Sequence, residues 1–269
     1  MPEFVIESLD DCRLNPYRDL KQPESRMRET FVAEGEKLVV RLLESHCRTE
    51  SILCTAAACD RLRQRVPPDI AIYVTTTPVI SALIGYQFHR GVLACGCRPP
   101  QPALEEFCKF GLASGRSLVV VCPEIRDPAN LGTIIRTAAA FGASGVIVGR
   151  AGTDPFSRRV LRTSMGTVFR LPIIQTDDWN LVLESLNGAG FETIATVLDP
   201  AAQRLSEARL PARVALILGN EDAGLPDALI RRCLWRVTLP MAAGVDSLNV
   251  AVAAGIVLYH FAPFATSCG

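Results

Sequence analysis

Three short stretches of this chain set polar and charged side chains into apolar surroundings, the kind of pattern in which binding and catalytic residues are sought. In the first, Asp127-Pro128-Ala129-Asn130-Leu131-Gly132-Thr133-Ile134-Ile135-Arg136-Thr137-Ala138-Ala139-Ala140-Phe141-Gly142, a single cation, Arg136, stands mid-helix among small and apolar neighbours. Asn130 is placed to cap that helix and Gly142 to stop it. A solvated helix usually carries several charges, so Arg136 reads either as a functional cation or, more plainly, as a surface residue. The second stretch, Leu218-Gly219-Asn220-Glu221-Asp222-Ala223-Gly224-Leu225-Pro226, puts two glycines and two acids after an apolar run. Such a loop can bring backbone close to a ligand, although an ordinary acidic turn has the same composition. The third, Leu239-Pro240-Met241-Ala242-Ala243-Gly244-Val245-Asp246-Ser247-Leu248-Asn249-Val250, leads into a helix that stays apolar on nearly every face through Leu258. A helix of that kind is expected to be buried and closely packed. Capping accounts for Ser247 or Asp246 and leaves Asn249 unexplained.

The elements that must position these residues are legible as apolar runs of strand length at Leu118–Cys122, Gly145–Val148, Thr193–Leu198 and Val214–Leu218. Unbroken apolar runs read as parallel strands covered on both faces by helices. Asp177 or Asp178 can cap one such helix through Leu186, and Pro226 opens another. Sheets of this type take ligands at the carboxyl ends of their strands, where the first two stretches begin. Upstream, the spacing predicts an amphipathic helix over Glu29–His46, with Phe31, Leu38, Leu42 and Leu43 on one side. The β-prone runs Ser51–Thr55, Ala71–Val74 and Gly91–Cys95 complete a smaller α/β unit. A proline cluster, Arg98-Pro99-Pro100-Gln101-Pro102, and the segment Gly111-Leu112-Ala113-Ser114-Gly115 mark a connector. The expected organisation is therefore a domain over residues 1–100, a linker over 101–116 and a second domain over 117–269.

With 269 residues, 49% of them hydrophobic, the chain can fill one large core or two ordinary ones. Its 28 basic and 28 acidic residues cancel, which excludes indiscriminate binding of nucleic acid through bulk charge. No GxGxxG follows a strand, which counts against a nicotinamide-dependent oxidoreductase and an ordinary Rossmann methyltransferase; the absence of GxxxxGK[ST] removes a P-loop NTPase. Ten scattered cysteines and three histidines (His46, His89, His260) form no paired CxxC, so reduced thiols and no metal site are expected. The longest apolar stretch, Val250–Leu258, is too short to span a bilayer and Glu3 and Glu7 make the N-terminus acidic, so a soluble, cytoplasmic protein is expected. The neutral balance also hides a partition. Residues 116–170 hold eight arginines against Glu124, Asp127 and Asp154, whereas residues 171–226 hold eight acids against three arginines. Arg158, Arg159 and Arg162, with Arg26 and Arg28 upstream, are candidates for phosphate contacts, a solvated helical face being the alternative for the first three.

Taken together, and with Arg162-Thr163-Ser164-Met165-Gly166-Thr167-Val168-Phe169-Arg170-Leu171-Pro172, these stretches resemble the signature motifs of the SpoU (TrmH-type) branch of the SPOUT RNA methyltransferases over roughly residues 117–262. Upstream, Phe31-Val32-Ala33-Glu34-Gly35-Glu36-Lys37-Leu38-Val39 and His89-Arg90-Gly91-Val92-Leu93-Ala94 resemble the L30e-like substrate-binding domain that precedes the catalytic domain in many members. The resemblance implies a C-terminal α/β domain with a parallel sheet and a deep trefoil knot, S-adenosylmethionine as donor, a homodimer, and methylation of a ribose 2′-hydroxyl in RNA. No DNA or membrane partner is implied. S-adenosylmethionine carries no phosphate, which suits the lack of a phosphate-cradling loop. Leu218, Gly219, Asn220, Leu239, Pro240, Met241, Ser247 and Leu248 would hold it through backbone and apolar contacts. By the family pattern Arg136 acts on the 2′-oxygen, Asn130 and Glu221 orient it, and Ser247 and Asn249 complete the site. Where members often carry Glu-Gly, this chain has Glu221-Asp222-Ala223, which adds a carboxylate. Ribosomal RNA is the expected substrate; transfer RNA, or a non-catalytic RNA-binding protein of this fold, are the alternatives.

Overall fold

The computed structural model describes residues 2–20, 29–110 and 115–262, and these form two compact units. The first contains strands β1 (Glu3–Val5) and β2 (Thr30–Glu34), helix α1 (Glu36–Leu43), β3 (Thr49–Cys54), α2 (Ala56–Leu62), β4 (Ala71–Val74), α3 (Thr77–Ile84) and β5 (Val92–Cys97). Its sheet runs in the order β1-β4-β3-β5-β2, with β1, β4 and β3 parallel and β5 antiparallel to both of its neighbours. The single helix expected over Glu29–His46 is a strand followed by a shorter helix. Phe31, Val32 and Ala33 bury themselves against β5, and Gly35, at φ +98°, turns the chain into α1. A β-branched and aromatic run paired to a neighbouring strand overrides the helical periodicity that Leu38 and Leu42 do satisfy.

The second unit begins with α4 (Leu104–Phe107) and continues through β6 (Ser117–Cys122), α5 (Pro128–Ala140) and β7 (Gly145–Gly149). The next helix, α6 (Arg158–Thr163), falls in a segment, Phe156–Arg170, that belongs to the first unit. The second unit resumes with β8 (Ile173–Thr176), α7 (Trp179–Gly188), β9 (Glu192–Thr196), β10 (Gln203–Arg204), β11 (Arg213–Ile217), α8 (Asp227–Ile230), β12 (Trp235–Thr238) and α9 (Val250–Phe261). Its seven strands pair entirely in parallel, in the order β10-β12-β9-β11-β6-β7-β8. Every residue of β6 and β7 is buried, as the unbroken apolar runs require.

The structure divides the chain differently from the expected domain limits. Phe31 packs between Phe156 and Phe169, at ring-centroid distances of 5.2 and 5.4 Å, and this draws the α6 segment into the first unit. The linker expected over 101–116 contains α4, whose Phe107 is buried in the core of the second unit beside Val119, Ile147 and Leu186. Residues 111–114 of that linker lie outside the described residues.

Two glycines shape the strand ends that carry the site. A Cβ at Gly149 would lie 1.8 Å from the Pro123 carbonyl oxygen, so only glycine lets the end of β7 lie against the loop that follows β6. A Cβ at Gly219 would approach the Gly224 backbone to 2.8 Å, which is how closely the loop after β11 folds on itself. Gly149→Ala should therefore displace the Pro123 loop and lower the unfolding free energy by about 1–3 kcal/mol, measured by urea denaturation.

Candidate active site

The loops after β6 and β11 and the segment before α9 meet through a directed chain of hydrogen bonds. Asn249 is the N-cap of α9, its Oδ1 accepting the backbone N–H groups of Ala251 and Val252 at 2.9 and 3.3 Å. Its Nδ2 must then donate, and it does so to Asn130 Oδ1 at 3.0 Å. Asn130 Nδ2 in turn donates to Glu221 Oε1 at 2.9 Å. The backbone N–H groups of Asp127 and Arg126 donate to Oε1 and Oε2 of the same carboxylate, both at 3.2 Å. Burial alone would raise the carboxyl pKa of Glu221. The bonds from Asn130 and from the N–H groups of Glu221 itself, Arg126 and Asp127 outweigh that effect and hold it below the ordinary value of 4.5. Glu221 is thus ionised at neutral pH, and both of its oxygens are free to accept these N–H groups.

Local sequence explains each placement. Asp127 caps α5 through the Ala129 N–H at 2.8 Å, with Pro128 in the first turn. Asn130 is therefore not the cap that the sequence suggested but a buried first-turn residue, its amide left available for the network. Asn220 closes the β11 loop on itself: its Oδ1 accepts the Asp222 and Ala223 N–H groups at 2.9 and 3.1 Å, and its Nδ2 donates to the Glu124 carbonyl at 2.9 Å.

Beside this network a cavity of about 580 Å³ opens over the ends of β9, β11 and β12. Leu218, Gly219, Asn220, Leu239, Met241, Ser247 and Leu248 all line it, together with Thr196, Asp199 and Arg236, which sequence reasoning missed. Pro240 instead borders two adjoining cavities. The only advance signal for Thr196 was its place within the apolar run Thr193–Leu198, whose strand ends at that residue. Asn249 is in the network rather than the lining, and Ser247 is exposed at the cavity edge. Arg136 lies on the exposed side of α5, six residues beyond Asn130, with no hydrogen bond or ion pair among the described residues. It does not join the Glu221 network.

The arginines singled out for phosphate are in three different situations. Arg158 donates to the Tyr86 hydroxyl at 2.7 Å and stands 3.9 Å from the buried carboxylate of Glu34, with its side chain 21% exposed. Burial, reinforced by the neighbouring Glu34 carboxylate, pushes the Tyr86 pKa up to about 12, so its hydroxyl remains the donor to Glu34 at 3.0 Å. This arginine serves the interior of the first unit. Arg159 and Arg162 are exposed on α6. Arg26 and Arg28 lie outside the described residues.

A parallel sheet with a cavity over its strand ends, and an ionised carboxylate at the rim, is the arrangement in which open α/β folds take ligands. The SpoU rRNA methylase family model matches residues 117–259. An uncharacterized tRNA/rRNA methyltransferase of Mycobacterium bovis is 34% identical over 93% of this chain and 88% of its own length. The 23S rRNA (guanosine(2553)-2'-O)-methyltransferase RlmP of Bacillus subtilis is 30% identical over 95% of this chain and 98% of its own. Among solved structures, the AdoMet-bound rRNA methyltransferase from Sinorhizobium meliloti superposes with a TM-score of 0.81 at 30% identity, covering 96% of this chain and 97% of that one. The chain belongs to the SpoU rRNA methylase family: it is an RNA methyltransferase that uses S-adenosylmethionine. The cavity fits that cofactor, since its apolar lining suits a purine and the ligand brings no phosphate to neutralise.

Because folding lowers the pKa of Glu221, its contribution to stability is fully present above the ordinary value of 4.5 and is lost as pH falls through the lower folded value. Urea unfolding across the acid range should show a smaller loss of stability in Glu221→Gln than in the parent; equal losses would mean that the carboxylate is not held ionised by this network.

Proposed function

We propose that the chain transfers a methyl group to a ribose 2′-hydroxyl of ribosomal RNA, in the cytoplasm and as a homodimer. The observation that carries the reading is Arg136, a cation with no hydrogen bond or ion pair among the described residues, on the helix whose first turn is wired to Glu221. A ribose hydroxyl is a poor nucleophile until its proton leaves or its developing charge is stabilised. When bound, the cofactor supplies an electrophilic methyl group on a sulfonium. Arg136 would stabilise the developing oxyanion; with a guanidinium pKa above about 12 it is a poor base, and a phosphate or water takes the proton. Asn130 and Glu221 fix the start of the Arg136 helix, and Ser247 borders the cavity. The ribosomal preference rests on RlmP of Bacillus subtilis, similar over nearly the whole of both chains. The first unit would supply RNA contacts, with Arg159 and Arg162 toward phosphate.

Support for the dimer comes from α9, which is not buried all round as its composition suggested. Val252, Ile256 and Tyr259 are 53%, 43% and 62% exposed and recur at positions i, i+4 and i+7, one apolar stripe along the helix. A second copy covering that stripe accounts for an apolar sequence on an outward face. The same reading takes the C-terminal pass as a knot: after β12 the chain returns past β9 and β11 to pack α9 on α5.

Arg136→Ala should reduce methyl transfer to RNA by about a hundredfold or more while calorimetric affinity for S-adenosylmethionine stays within about twofold; full transfer would sink the assignment. Ile256→Glu should convert the dimer to monomer in light scattering; an unchanged mass would place the interface elsewhere.

A further inference from the structure

The loop after β11 has two sides. One faces the cofactor cavity over β9, β11 and β12. The other faces a second cavity, of about 440 Å³, over the ends of β6, β7 and β8. Asn220, Ala223, Gly224 and Leu225 line both. A transferase needs adjoining places for donor and acceptor, and the reversal of strand order about β6 supplies two crevices with one wall between them. We infer that this second cavity receives the base of the acceptor nucleotide, and that the base is guanine. The inference rests on the reading of the chain as a ribose methyltransferase.

The lining carries the argument. Trp179 is part-buried against the core of the unit and also lines the cavity; glycine at 149 makes room for it, since a Cβ there would stand 3.0 Å from Trp179 Cζ2. A part-buried indole offers a stacking surface for a flat base. Beside it Asp177, exposed at the cavity, accepts the Arg150 N–H through Oδ1 at 2.8 Å, while Oδ2 has no hydrogen bond among the described residues. Asp178 is committed to capping α7 through the Leu181 N–H at 3.0 Å. Arg232, the basic residue of the lining, is paired with Glu184 at 2.9 Å. The cavity therefore presents carboxylate acceptors without an unpaired cation, which disfavours phosphate and favours an uncharged edge that donates protons. Guanine places N1–H and the N2 amino group side by side, matching one carboxylate; adenine, cytosine and uracil each lack that pair of donors.

The test uses the full chain carrying Trp235→Phe, so that Trp179 reports alone, and follows tryptophan emission on titration with guanosine, inosine and adenosine 5′-monophosphates. Inosine lacks only the N2 amino group. Saturable quenching by guanosine monophosphate, with inosine and adenosine monophosphates about tenfold weaker, is expected. Asp177→Asn, which keeps the side-chain shape, should abolish the preference for guanosine over inosine monophosphate. Equal affinity for all three, the same preference in Asp177→Asn, no quenching, or quenching by spermidine in place of nucleotides would each overturn the inference. Ribose methylation of RNA by the same preparation is measured separately, so a failure of the base pocket is told apart from a failure of the proposed reaction.

Discussion

The hydrogen bonds from Asn249 through Asn130 to Glu221 have one workable direction. The α9 N–H groups consume the Asn249 carbonyl oxygen, so that amide can only donate onward; Asn130 then accepts with its oxygen and donates with its nitrogen; Glu221, both of whose carboxyl oxygens receive N–H groups, ends the chain as an acceptor. This single thread joins three loops separated by some 120 residues of sequence, from 130 to 249. It ties the segment before α9 and the loop after β11 to the start of α5, alongside the Asn220 bond to the Glu124 carbonyl and the packing of α9 on α5. Gly149 and Gly219 admit close backbone approach at the Pro123 and Gly224 loops beside it.

Much of this was legible in advance. Unbroken apolar runs marked four of the seven strands of the second unit, β6, β7, β9 and β11, to within one or two residues, because burial on both faces leaves no room for polar alternation; β8, β10 and β12 carried no such run. Residues of the candidate site stood out by type and context, yet the structure gives several of them other local roles. Asn130 looked like a cap, since capping is the commonest local use of asparagine; Asp127 takes that task, and the amide of Asn130 faces a residue 91 positions away that no local pattern could reveal. Asn249 seemed surplus and is itself the cap. Phe31 was assigned to a helical face, whereas its packing against Phe156 and Phe169 depends on contacts more than 120 residues distant. Tertiary pairing decided these cases, and single-chain periodicity does not encode it.

The charge partition also acquires a physical meaning. Arg158 offsets a buried carboxylate, while Arg136, Arg159 and Arg162 remain on the surface. The eight acids of residues 171–226 include Glu221, which anchors the network, and Asp177 beside the second cavity. A chain neutral in sum therefore offers exposed cations where a polyanion can be met, and places at least one of its carboxylates, Glu221, where N–H groups donate to it.

The central claim, that this site methylates a ribose hydroxyl of ribosomal RNA, is tested most directly by mapping 2′-O-methylated nucleotides in RNA from cells with and without the gene. The account predicts that a ribose methylation in ribosomal RNA disappears with the gene and returns with the purified protein and S-adenosylmethionine. Loss of a base methylation, or a loss confined to transfer RNA, would contradict it.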